Sequence, residues 1–178
     1  MSNPFSRLLP PCIDGLQVRL AMADDRLPIA RMLELYQHDL SDLWDQDLDV
    51  HGEYGYALDR YWRHPSCKAF VFTVAGKYAG FALVDDAVSL PDNELWLAQF
   101  FVMKKYRRHG VGSAAAGQIF DQVRGRWEVG QMPLNLPAQA FWRRIIGAYT
   151  DGRFVEHDLN DERWHGLLQC FDNTLQAT

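Results

Sequence analysis

A mixed α/β domain, with a central sheet of about six or seven strands and about four helices, is the fold class this sequence predicts. Three observations carry the prediction. Apolar, aromatic runs of strand length are separated by short turn segments. Other stretches place apolar residues at three- and four-residue steps, as amphipathic helices do. The composition is that of an ordinary globular chain, 48% hydrophobic and 23% charged over 178 residues, which excludes a disordered or fibrous class. That length suits one domain, residues 1–178, with a real core, and is cramped for two.

The elements follow in order. Residues 17–22, Gln-Val-Arg-Leu-Ala-Met, alternate polar and apolar side chains as a half-buried strand does, and Ala-Asp-Asp then offers a helix N-cap. Ile29, Met32, Leu33, Tyr36 and Leu40 define an amphipathic helix that runs into an acidic segment containing Trp44. A second short helix is expected near 55–63. Residues 70–74 and 78–84 are apolar runs joined by Ala75-Gly76-Lys77, an antiparallel hairpin. After a turn through 85–93, residues 95–103 are apolar on both alternating faces, as in a central strand covered from both sides, with Gln99 as the polar interruption. Beyond Gly112, the series Ala116, Ile119, Phe120 and Val123 marks a helix that ends by Gly125. A strand at 126–132 precedes a helix at 138–146, introduced by Pro137, which the first turn of a helix tolerates. Strands at 153–157 and 164–171 close the chain.

The net charge of −5 argues against general nucleic-acid binding, which draws on clustered Lys and Arg. The opening Met-Ser-Asn-Pro-Phe-Ser-Arg shows no charged-then-apolar signal pattern, and no uninterrupted apolar stretch approaches the ~20 residues that cross a bilayer. Neither export nor a membrane span is expected. Cys12, Cys67 and Cys170 are odd in number and lack C-x-x-C spacing, so no disulfide framework or zinc site is indicated, and a reducing cytoplasm is the simplest location. Charge is uneven along the chain. From Asp39 to Asp59 there are seven acids (39, 42, 45, 47, 49, 53, 59) and no Lys or Arg, whereas Lys104, Lys105, Arg107 and Arg108 fall within five residues. The two zones are candidates for two different ligands.

Arg107-Arg108-His109-Gly110-Val111-Gly112-Ser113 lies between the end of a buried strand and the start of a helix. The first turn of a helix carries N–H groups without intrahelical partners, and the dipole adds partial positive charge, so a phosphate is the natural guest there. Glycines at 110 and 112 let a ligand approach the backbone, and the arginines can add charge-assisted hydrogen bonds.

In this context the sequence resembles the GNAT superfamily of N-acetyltransferases, whose pyrophosphate signature, Q/R-x-x-G-x-G/A after the fourth strand, is fitted by Arg107-Arg-His-Gly110-Val-Gly112. Upstream, Phe100-Phe101-Val102 looks like the end of that family's fourth strand, where amides at a bulge hold the pantetheine arm. Downstream, Asn135-Leu-Pro-Ala138-Gln-Ala-Phe141-Trp142 resembles the asparagine-then-alanine element that leads into the fourth helix and flanks the arm. The likeness spans residues 17–157, with the specific motifs at 100–142. It implies a twisted, mostly antiparallel sheet splayed between its fourth and fifth strands to admit coenzyme A. It also implies acetyl-CoA as cosubstrate, no metal, and direct acetyl transfer to a primary amine. Val111 and Ser113 join the pyrophosphate group. Glu94 and Gln99 stand nearest to the family's usual base. The family's tyrosine, seven residues past the asparagine, is replaced by Trp142, and Tyr149 is the alternative acid. Tyr36, Asp39 and Trp44, in the acidic, aromatic zone, would attract and stack against a cationic small-molecule or peptide acceptor.

Other readings stand beside this one. Gly110-Val-Gly112-Ser-Ala-Ala115 also matches the permissive dinucleotide fingerprint of NAD(P)-dependent oxidoreductases, although it follows an antiparallel hairpin and leaves too little chain for a full set of βαβ units. A catalytically silent GNAT-like domain that binds acetyl-CoA or a partner is a third possibility, because fold does not fix function. Whether the domain acts alone or as a homodimer is left open.

Overall fold

The computed structural model describes residues 13–174, so Cys12 and the N-terminal segment considered above lie outside the described residues. The elements are β1 (Leu16–Leu20), α1 (Arg26–Trp44), α2 (Arg60–Arg63), β2 (Lys68–Val74), β3 (Lys77–Asp85), β4 (Leu95–Val102), α3 (Val111–Gln122), β5 (Arg126–Gln131), α4 (Leu136–Thr150), β6 (Val155–Asn160) and β7 (His165–Asp172). The strands form one seven-stranded sheet in the order β1-β2-β3-β4-β5-β7-β6. Neighbouring strands are antiparallel except β4 and β5, which are parallel. The mixed, mostly antiparallel sheet expected from the sequence is the one observed. Among the described residues, no helix is long and apolar enough to cross a membrane.

Both faces of the sheet are covered. Phe70 and Phe72 of β2 join Ile119, Phe120 and Ile146 under α3 and α4, whereas Val71 joins Ile29, Leu33 and Tyr61 under α1 and α2. A strand buried on both sides has no polar face, which is why β2 and β3 read as continuous apolar runs. In β4 this alternation is broken. Leu83 of β3 opposes Gln99 while Val84 opposes Leu97, so Ala98 is the extra residue of a bulge.

Element boundaries moved where side chains took over backbone groups. β1 ends at Leu20 because the Asp25 carboxylate accepts the Met22 N–H at 2.7 Å and turns the chain toward α1. α4 starts earlier than its apolar pattern because the Asn135 carboxamide caps it, accepting from the Ala138 N–H at 3.2 Å. It runs on to Thr150, with Tyr149 packed against Phe120 at 5.1 Å between ring centroids. β6 consequently begins at Val155, after a turn through Asp151 and Gly152.

Candidate active site

The parallel pair opens the site. β4 and β5 are in register only at Leu95 with Trp127 and Trp96 with Glu128, and beyond these residues the strands part. The edge of β4 that faces β5 therefore has no ladder partner toward Val102, and buried backbone donors and acceptors left in this way call for a guest. Two connected features fill the gap. An outer cleft of about 530 Å³ is lined by Asp39, Phe101, Lys104, Arg107 and Asn135 among others. An inner chamber of about 140 Å³ shares Tyr36, Leu40, Phe100 and Asn135 with it and adds Trp44, Gln99 and Trp142.

The N-terminus of α3 stands beside the end of β4. Gly110 takes the N-cap position with φ of 80°, a left-handed conformation that suits glycine, and Arg108 is also left-handed at 64°. The first helical bond runs from Ala114 N–H to the Gly110 carbonyl at 3.0 Å. The amides of Val111, Gly112 and Ser113 thus have no acceptor within the helix and form a cradle for an anion. A Cβ at Gly112 would lie 3.4 Å from Phe141 and 3.5 Å from Val102. Both are ordinary contacts, so the glycine serves to leave the amides uncovered. Arg108 and His109 are exposed on the approach to this cradle.

Arg107 does something the motif did not indicate. Its Nε donates to the Val102 carbonyl at 2.6 Å, its Nη2 to Asp39 at 2.6 Å, and its guanidinium lies 5.3 Å over the Phe101 ring. Lys104 reaches the other Asp39 oxygen at 3.2 Å. Burial pushes the Asp39 carboxyl up, but the hydrogen bonds from Arg107 and Lys104 outweigh it and hold the group below its ordinary value. Other acids of the same zone are engaged too: Asp59 pairs with Arg26 and Arg63, and Asp49 accepts from His51 and Glu53 amides in its own loop. The zone therefore offers less free negative charge than its composition suggested.

Of the residues singled out from the sequence, Phe100, Phe101, Val102 and Asn135 line the cleft, and Gln99, Ala138, Tyr36 and Trp44 line the inner chamber. Tyr36 packs on Phe81 and Phe101, and burial raises its hydroxyl above the usual tyrosine range. Phe141 packs on Phe100 and Trp142 at the α3 cradle. Trp142 stands where the family has a tyrosine. It is 6% exposed and edge-on to Phe100 at 4.9 Å. An indole N–H is a donor that does not titrate, so it closes the chamber to water rather than giving up a proton.

Glu94 and Tyr149 are not brought to this place. Glu94 pairs with Arg126 at 3.2 Å, at the closed end of the β4–β5 pair. It lies six residues before Phe100 along the strand, about 20 Å away. The Tyr149 hydroxyl donates to Asp121 at 2.9 Å and accepts from Arg124 at 3.2 Å, at the C-terminal ends of α3 and α4. Burial is the main reason that it is pushed up to about 12. Conversely, Trp96, Gly130, Gln131 and Trp164 line the inner chamber and were not singled out from the sequence. They meet only through the pairing of β7 with β5, a long-range relation with no local signature. Among the described residues, no group of three or more His, Cys, Asp or Glu is placed to hold a metal ion.

A mixed sheet splayed at its one parallel pair, with a bulged strand on one side of the opening and an uncapped helix N-terminus at its end, can receive a phosphate-bearing ligand. The chain belongs to the acetyltransferase (GNAT) family, whose model matches residues 29–148. No curated protein sequence matches it. Among solved structures it is similar to an acetyltransferase from Thermus thermophilus (17% identity, 89% of this chain and 96% of that chain, TM-score 0.59). It is also similar to the ribosomal-protein-S5-alanine acetyltransferase from Vibrio fischeri (15% identity, 93% and 97%, TM-score 0.64). A third is the spermidine N-acetyltransferase from Vibrio cholerae, solved in complex with CoA and spermine (12% identity, 88% and 94%, TM-score 0.57). At these identities the likeness is one of fold.

Proposed function

We propose that this acetyltransferase moves the acetyl group of acetyl-CoA directly to a primary amine within the β4–β5 opening. The single observation that carries the proposal is the loss of pairing beyond Trp96 next to the α3 cradle. The residues present fit the carrier. The amides of Val111, Gly112 and Ser113 would take the pyrophosphate, with Arg108 adding charge from the approach. The open edge of β4 up to Val102 would hydrogen-bond the pantetheine arm, and Asn135, Ala138 and Phe141 would flank it. Acetyl-CoA, when bound, supplies an activated acetyl thioester. Phe100 and Trp142 exclude water from the reacting end, so hydrolysis does not compete. In the overall exchange a C–N bond forms, the C–S bond breaks, and the proton lost by nitrogen ends on the free thiol.

One observation favours a second reading, a domain that binds acetyl-CoA without turnover: no carboxylate, histidine, lysine or arginine is among the described residues that line the inner chamber. Thiol release from acetyl-CoA, followed together with mass-spectrometric detection of the acetylated amine over an amine panel, separates the two. Amine-dependent thiol release is the expected result. Tight acetyl-CoA binding without any acetylated product would favour the silent domain.

A further inference from the structure

The inner chamber has a second wall whose chemistry specifies the acceptor. Trp44 comes from the last turn of α1, Trp96 from β4 and Trp164 from the turn before β7. Trp96 and Trp164 meet edge to face, 5.1 Å between centroids. They do so above Gly130, where a Cβ would come within 2.3 Å of one indole and 2.8 Å of the other. The polar groups in the lining are uncharged: the carboxamides of Gln99, Gln131 and Asn135 and the Tyr36 hydroxyl. Gln131 is 3% exposed, and its Nε2 donates to the Val129 carbonyl at 2.8 Å. That bond leaves Oε1 as the acceptor of the amide; it and the Trp164 Nε1 donor are both buried and have no hydrogen-bond partner among the described residues.

An ammonium ion entering this space would lose its water with no counter-charge to meet it. Of the two carboxylates in the adjoining cleft, Asp39 is already held by Arg107 and Lys104, and Asp42 is solvent-exposed and outside the chamber lining. Ring faces offset such a loss only in part. A flat, neutral molecule loses little and gains stacking contact. An apolar cavity of about 150 Å³ holds one benzene ring, and the chamber is about 140 Å³.

We propose that the acceptor is a primary amine of a molecule that carries an aromatic ring, delivered uncharged, with the ring seated among Trp44, Trp96 and Trp164. This rests on the acetyl-CoA-dependent reading above. The nitrogen arrives with its lone pair free, forms the C–N bond as the C–S bond breaks, and passes its surplus proton to the departing sulfur. No side-chain base is needed, which accounts for the uncharged lining.

The test compares aniline, 2-phenylethylamine and spermidine as acceptors at saturating acetyl-CoA near neutral pH, with acetyl-CoA affinity measured separately by calorimetry. Both aromatic amines should exceed spermidine by ~10-fold or more in kcat/KM. Trp164→Ala should lower the aromatic kcat/KM by about tenfold without changing acetyl-CoA affinity, and Trp164→Phe should keep most of it. Trp44→Ala, at a 41% exposed position where folding is not at stake, should act in the same direction. For 2-phenylethylamine the rate should climb with pH as the free amine forms, whereas for aniline it should be flat. Acetyl-CoA binding with turnover confined to spermidine, or aromatic rates indifferent to both tryptophan substitutions, would overturn the acceptor assignment alone. Failure to bind acetyl-CoA would overturn it together with the reading on which it rests.

Discussion

Asp39 on α1 and Arg107 beyond β4 meet at 2.6 Å, carboxylate to guanidinium, across the outer cleft. The first residue of the phosphate signature is thereby tied to the helix that walls the acceptor side, and to its own strand through the Val102 carbonyl. Asp39→Asn should release positive charge beside the cradle. Acetyl-CoA affinity is then expected to rise a few-fold, more so at low salt, while the fold loses about 1 kcal/mol because the cluster is partly exposed and screened. Calorimetric titration and urea unfolding read the two effects, and weaker acetyl-CoA binding would contradict the expectation that Asp39 withholds the Arg107 charge from the cradle.

Gly112→Asp places a negative charge and extra bulk over the amides at the start of α3. The position has room for a Cβ at 3.4 Å from Phe141, so the fold should survive. Acetyl-CoA affinity should fall by ~100-fold or more. Unchanged affinity in a calorimetric titration would remove the pyrophosphate from this cradle.

Tyr149→Phe and Glu94→Gln should leave kcat and its pH profile essentially as they are, because neither side chain lines the opening. Loss of the Tyr149 bond to Asp121 should cost about 1 kcal/mol of stability. A kcat lowered ~100-fold in either variant would show that the group reaches the reacting atoms.

Asp25 contributes to acid stability. Its carboxylate takes two bonds from Arg19, one from the Met22 amide and one from Tyr78. The Arg19 bond is the largest cause that lowers it from 3.8 to about 2. A carboxyl lowered on folding stabilises the native state above its unfolded value and ceases to do so as pH falls through its folded one. Asp25 should therefore contribute about 1–2 kcal/mol at neutral pH, lost between about pH 4 and pH 2. Asp25→Asn should flatten that part of the unfolding profile, and an unchanged profile would rule the contribution out.

The fold was legible wherever a local signal existed. Helical periodicity located α1 and α3, the hairpin at Ala75-Gly76 located β2 and β3, and the Arg107–Ser113 junction located the α3 N-terminus. What local patterns missed depends on distance in space. The Trp96–Trp164 pair is made by inserting β7 between β5 and β6, which nothing near either residue announces. Tyr149 lies seven residues after Trp142, nearly two helical turns, so it returns to the same face of α4 but about 10 Å further along. Glu94 failed on the same arithmetic along a strand. The Asp39–Arg107 pair joins residues from two zones that composition had assigned to two separate ligands.

Stabilisation by acetyl-CoA, titrated by thermal unfolding with NADH in parallel at matched concentrations, bears most directly on the central claim. Binding at the open β4 edge and the α3 cradle should give a saturable rise with acetyl-CoA alone. At roughly hundredfold excess over Kd it should reach about 2.7 kcal/mol, or roughly 5–10 °C for a chain of this size. No rise with acetyl-CoA, or a rise with NADH alone, would contradict it.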